Sequence, residues 1–112
     1  MKVRIEVKGS DDVKSKLKGF TLASLQEWAR RIEADARTDA LGKTAPEIAQ
    51  DTRIEVSETE PKLFELRADV NREAIPILIE ATKNSLRNMP FGFQGIFKSF
   101  LQKAEEAKRE TP

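Results

Sequence analysis

Cysteine, histidine and tyrosine are absent from this chain of 112 residues, and each absence removes a class of chemistry. Without cysteine there is no disulfide framework, no thiolate nucleophile and no zinc-thiolate site. Without histidine the usual general base near neutral pH is missing, which leaves carboxylates, lysines and hydroxyls for any catalysis. The glycines stand at positions 9, 19, 42, 92 and 95, too dispersed for a phosphate-cradling loop. No stretch approaches the ~20 apolar residues of a membrane span, and Met1-Lys2-Val3-Arg4-Ile5-Glu6 alternates instead of building an apolar leader. Charge is balanced, with 20 basic against 19 acidic residues and a net charge of +1. The whole-molecule field therefore offers little attraction to nucleic acid or anionic lipid. Together these absences predict a non-enzymatic, cytoplasmic protein with no cofactor, no metal and no membrane contact.

What remains is strongly patterned. Lys2 to Lys8 alternates strictly, Val3, Ile5 and Val7 on one side and charges on the other, which predicts a half-buried strand stopped by Gly9. Ser10-Asp11-Asp12 offers caps for a short helical turn through Val13 and Leu17. Thr21 then caps a long helix in which Leu22, Leu25, Ala29, Ile32, Ala36 and Ala40 recur at helical spacing, opposite a face of Arg30, Arg31, Glu33, Asp35, Arg37 and Asp39. Trp28 stands at the edge of the apolar stripe. Lys43 to Asp51 is a connection, with a helical turn from Pro46. Thr52 to Ser57 and Lys62 to Val70 each keep the period of two and are joined by a short polar link, which predicts an antiparallel hairpin with Glu55, Glu65, Arg67 and Asp69 on a wet face. Asn71 caps a further helix to Leu86, its first turns perturbed by Pro76. After Asn88-Met89-Pro90 a last helix runs from about Gly92 to Lys108, and Arg109 to Pro112 form a frayed tail. The pattern predicts one α+β domain over residues 1–108, in the order β-α-α-β-β-α-α. In it a three-stranded antiparallel sheet is covered on one face by the long helix and two C-terminal helices.

Four of the six phenylalanines lie between positions 91 and 100. Phe93, Ile96, Phe97, Phe100, Leu101 and Ala104 form one broad apolar face on the last helix. Ordinary core would explain such a stripe, yet two other apolar helices are available to cover the only sheet. Counted that way, the last helix is surplus, and surplus apolar area marks an interface. Phe91, Phe93, Ile96, Phe97, Phe100 and Leu101 are therefore expected to dock onto a second copy or another partner.

The other candidate signals are weaker. Glu105-Glu106 and Asp11-Asp12 have the solvated and helix-terminal positions that carboxylates ordinarily take, which argues against a metal. Glu80 follows Ile77-Leu78-Ile79 and is either a surface residue or drawn partly inward. Arg30, Arg31 and Arg37, with the run Lys14, Lys16, Lys18, are the candidates for a nucleic-acid surface. Their interleaved acids explain them equally well as intrahelical pairs.

Several segments carry a likeness to a known family. Ile5-Glu6-Val7-Lys8-Gly9, Ala29-Arg30-Arg31-Ile32 followed by Ala45-Pro46, the stretch Ala74-Ile75-Pro76-Ile77-Leu78-Ile79-Glu80-Ala81-Thr82-Lys83, and Met89-Pro90-Phe91 resemble motifs of one such family. It is the small tail-component, or head-tail joining and tail-completion, family of long-tailed bacteriophages. The resemblance places family-motif positions at Glu80, Thr82, Met89 and Pro90. It implies a non-enzymatic virion or prophage protein that assembles with copies of itself and with neck or tail partners.

Overall fold

The computed structural model describes residues 2–10, 22–43, 51–60, 63–90 and 93–109. Alternation makes Lys2–Ser10 a strand, β1, because successive side chains of a pleated strand point to opposite faces. Ile5 and Val7 are buried while Lys2, Arg4, Glu6 and Lys8 are exposed. The chain continues with α1 (Leu22–Lys43), β2 (Arg53–Glu60), β3 (Leu63–Asn71), a 3-10 turn (Arg72–Ala74), α2 (Ile75–Asn88) and α3 (Gln94–Arg109). This is the expected α+β arrangement, its last helix reaching one residue into the expected tail. The short turn expected after Ser10 and the turn expected at Pro46 lie outside the described residues.

The sheet is antiparallel throughout, in the order β1-β3-β2. β2 and β3 form the expected hairpin, although β2 runs on to Glu60, which pairs with Leu63 after an irregularity between Glu58 and Glu60. Gly9 does not stop β1. The strand continues through it, opposite Phe64, and the glycine serves a packing purpose instead. A Cβ at position 9 would stand 3.0 Å from Cγ1 of Ile96 on α3, so a bare Cα lets that helix approach the strand. Gly9→Val is expected to force Ile96 aside and cost about 1–3 kcal/mol, seen as a lower urea midpoint. A midpoint equal to the wild type's would contradict the close approach.

One face of the sheet carries all three helices. α1 packs on β2, α3 packs on β1, and α2 packs chiefly against both of these helices. The core joins Leu25, Ile32 and Ala36 of α1 to Leu66 and Val70 of β3, Leu78 and Ala81 of α2, and Phe97 and Phe100 of α3. Each fully buried large apolar side chain contributes about 1.5–3 kcal/mol relative to exposure. Asn71 does not cap a continuous helix: its side chain accepts from Glu73 N–H at 3.1 Å and so caps the 3-10 turn. Pro76, in the first turn of α2 where its missing N–H costs nothing, sets the start of the α-helix proper at Ile75.

The aromatic stripe is corrected by this packing. Phe97 and Phe100 are 0% exposed and Ile96 is 8% exposed within the single chain. Phe93 and Leu101 are half-buried against the same core, and Phe91 lies outside the described residues. The last helix is not surplus, because α1 covers the β2 side of the sheet and leaves β1 to be covered by α3. With strands about 4.8 Å apart and a helix about 10 Å across, one helix does not shield three strands.

Candidate interaction surface: the bare sheet face and its two edges

The face of the sheet turned away from the helices is charged, and its charges are ordered in rows. Arg53 and Arg4 flank Asp69 on the central strand, and Glu55 and Glu6 flank Arg67. One row therefore reads plus, minus, plus and its neighbour minus, plus, minus. Arg4 Nε lies 3.1 Å from Asp69 and Arg67 Nη2 lies 3.4 Å from Glu55. Arg4 also reaches Glu6 at 3.8 Å, and Arg67 Nε reaches Glu65 at 3.4 Å. The hydrogen bond to Asp69, then the charges of Asp69 and Glu6, hold the Arg4 guanidinium above its ordinary pKa. Raised pKa values stabilise the fold below the unfolded-state value and lose that contribution only as pH climbs past the folded one. For an arginine this lies far into alkali, so Arg4 stays cationic wherever the protein works. Exposed pairs of this kind add little stability individually and instead fix which strand register is acceptable.

The two edges of the sheet are treated differently. Along β2, side chains from α1 bond to the outward-pointing backbone. Arg37 donates to Thr52 C=O from Nη2 at 2.9 Å and from Nε at 3.2 Å. Glu33 Oε1 accepts from Ile54 N–H at 2.9 Å, and Gln26 Nε2 donates to Val56 C=O at 3.2 Å. Unpaired edge groups template the addition of foreign strands, and these three side chains occupy them.

Those bonds also fix where every other strand group points. In an antiparallel ladder one residue's N–H and C=O point the same way, and its neighbour's point oppositely. Since Thr52, Ile54 and Val56 face α1, Glu55 must face Arg67, which turns Leu66, Ala68 and Val70 toward β1. Their partners Val7, Ile5 and Val3 complete that ladder. Lys2, Arg4, Glu6 and Lys8 are then left presenting their backbone groups at the outer edge of β1. Among the described residues, no side chain or neighbouring backbone bonds to those groups. Beside this open edge runs a groove bounded by Val3, Arg4, Glu6, Lys103, Glu106 and Ala107.

The residues singled out in the sequence distribute elsewhere. Glu80 is exposed, and Thr82 is buried with its hydroxyl donating to Leu78 C=O at 2.8 Å. Met89 is buried and Pro90 exposed in the α2–α3 corner. That corner is tied by Phe93 N–H to Pro90 C=O at 3.0 Å and by Gln94 Nε2 to Met89 C=O at 3.1 Å. These four family-motif positions build a helix and its corner and do not converge on one site. Arg30, Arg31 and Arg37 do not present three free guanidinium groups. Arg37 is committed to Thr52 and Glu33, and Arg31 pairs with Glu27 at 3.0 Å while lying 4.6 Å from the Trp28 ring centre. Arg30 alone of the three is exposed without an ion pair among the described residues. The residues that sequence reasoning missed are Gln26, Glu33 and Arg37 as a set. Their signal is a spacing of seven and four along the border of α1's apolar stripe.

Among the described residues no three acidic side chains gather as metal ligands, and no helix is long and apolar enough to cross a membrane. Comparison with protein-family models, curated protein sequences and solved structures returned no match.

Proposed function

We propose that this chain is a non-enzymatic assembly protein that works by burying surface against copies of itself and neighbouring proteins. The observation that carries this function is the contrast between the edges, one occupied by side chains and the other left, among the described residues, with a row of unpaired backbone groups. An open edge beside a groove lined by Val3, Ile5 and Ala107 together with four charged side chains suits strand addition, a recurring mode of protein–protein recognition. The likeness of Ala74–Lys83 and of Met89-Pro90-Phe91 to bacteriophage tail-component proteins supports placing it among head-tail joining or tail-completion parts, made in the cytoplasm and ending in the virion. Phe97 and Phe100, the largest side chains of the aromatic helix, are core, which speaks against that helix as the docking surface. A nucleic-acid role through Arg30, Arg31 and Arg37 has less support, since two of the three are engaged within the chain.

The test is co-expression with the products of the genes flanking its own. A complex of defined stoichiometry, seen by size-exclusion chromatography with light scattering and as regular particles in negative stain, is the expected result. A chain that stays alone beside every such product, and that forms no assembly by itself, contradicts the proposal.

A further inference from the structure

The groups left open on β1 also specify what fits them. We infer that β1 pairs antiparallel with β1 of a second copy, Arg4 opposite Glu6 of that copy, to make a continuous six-stranded sheet. This rests on the assembly reading and names its partner.

Three features of the molecule converge on that arrangement. Hydrogen-bonded pairing requires that the outward-facing residues Lys2, Arg4, Glu6 and Lys8 oppose one another across a two-fold axis, which leaves only a few registers. With the axis through Ile5, each Arg4 faces a Glu6 of the other copy, and Lys2 meets Lys8 only at the ends, where long side chains reach water. Shifted one pair toward the N-terminus, Arg4 faces Arg4 of the second copy; shifted the other way, Glu6 faces Glu6 and Arg4 faces Lys8. Of these three, only the first sets unlike charges together at its centre, and like charges directly opposed are unfavourable. An axis through Val7 would set Glu6 opposite Lys8, but it leaves Arg4 opposite Ser10 and its charge row ends on neutral Ser57 of the second copy. Next, that register extends the charge rows already present. Arg53, Asp69 and Arg4 are followed by Glu6, Arg67 and Glu55 of the second copy, so the sign alternates across all six strands. Finally, the axis stands perpendicular to the sheet and keeps both helix layers on one side. It brings Val7, Ile5 and Val3 of the second copy toward half-buried Val3 and Ala107, in the groove beside α3. The edge is selective, since its charges reject neighbouring registers, and a closed pair leaves only the two occupied β2 edges outside.

Sedimentation velocity over a wide concentration range tests this with two charge variants, Arg4→Glu and Glu6→Arg. Both positions are exposed, so thermal melts should show each variant folded. The wild type is expected to dimerise reversibly. Each variant alone opposes like charges at both central pairs, and its dissociation constant should rise about tenfold or more. Mixed in equal amounts, the two variants again oppose acid to base at both pairs, and a heterodimer of wild-type strength should return. Dimerisation of either variant at wild-type strength, or no recovery on mixing, would overturn the pairing. A wild type that is monomeric alone yet joins a co-expressed partner would overturn self-pairing and leave the assembly function standing. A wild type monomeric in both settings would end both.

Discussion

Phe97→Ala is expected to cost the fold about 3–5 kcal/mol, the usual loss for truncating a fully buried aromatic ring. The ring is 0% exposed, on a helix that packs against β1 on one side and α2 on the other. Both neighbours are held by their own elements, β1 by its ladder to β3 and α2 by α1, so the space left behind has little freedom to collapse. For a domain of this size, total stability is on the order of 5–15 kcal/mol, and the loss should lower the melting temperature by roughly 10 °C or more. Phe97→Leu, which keeps most of the volume, should cost less than about 1.5 kcal/mol. The pair is read by urea denaturation of each variant. An alanine variant that melts like the wild type while changing its association state would return the aromatic stripe to a docking role.

The second large effect belongs to the occupied edge. Removing Glu33 and Arg37 together by alanine substitution strips Ile54 N–H and Thr52 C=O of their charged partners, and Thr52 is only 1% exposed. Bonds to charged groups are worth about 1.5–3 kcal/mol each. The two residues touch at 3.8 Å, so the double variant should lose less than the sum of the singles. The larger consequence is in assembly. With β2 as well as β1 open, each molecule offers two edges that need not close on each other, and pairs can extend into open-ended stacks. Light scattering should show growth with time and concentration beyond a dimer. Unchanged particle size together with unchanged stability would show that these bonds do not guard the edge.

The strands and the long helix were legible in the sequence because burial on one face imposes a period that composition displays directly. Ile5 and Val7 alternate with charges, Leu25, Ala29, Ile32 and Ala36 recur at helical spacing, and Glu55, Glu65, Arg67 and Asp69 stand on the wet side as their alternation requires. The order β1-β3-β2 was not legible, because β1 meets β3 across some sixty positions of chain and no local pattern records a distant pairing. The aromatic helix misled for a related reason: an apolar stripe states that a face must be covered and is silent about what covers it. Glu33 and Arg37 are spaced as an ordinary i, i+4 surface pair, and only the position of β2 against α1 turns them toward backbone. Gly9 illustrates the same limit, since a glycine that ends a strand and one that admits a neighbouring helix are identical in sequence.

Amide hydrogen exchange by NMR tests the contrast between the edges most directly, residue by residue in the unmodified protein. In dilute solution the amide of Ile54, bonded to Glu33, should be protected although it lies on an outer edge. Those of Arg4, Glu6 and Lys8 should exchange freely, then gain protection as concentration rises. Protection of the β1 edge amides that is independent of concentration, or an Ile54 amide as open as that of Glu6, would contradict the account.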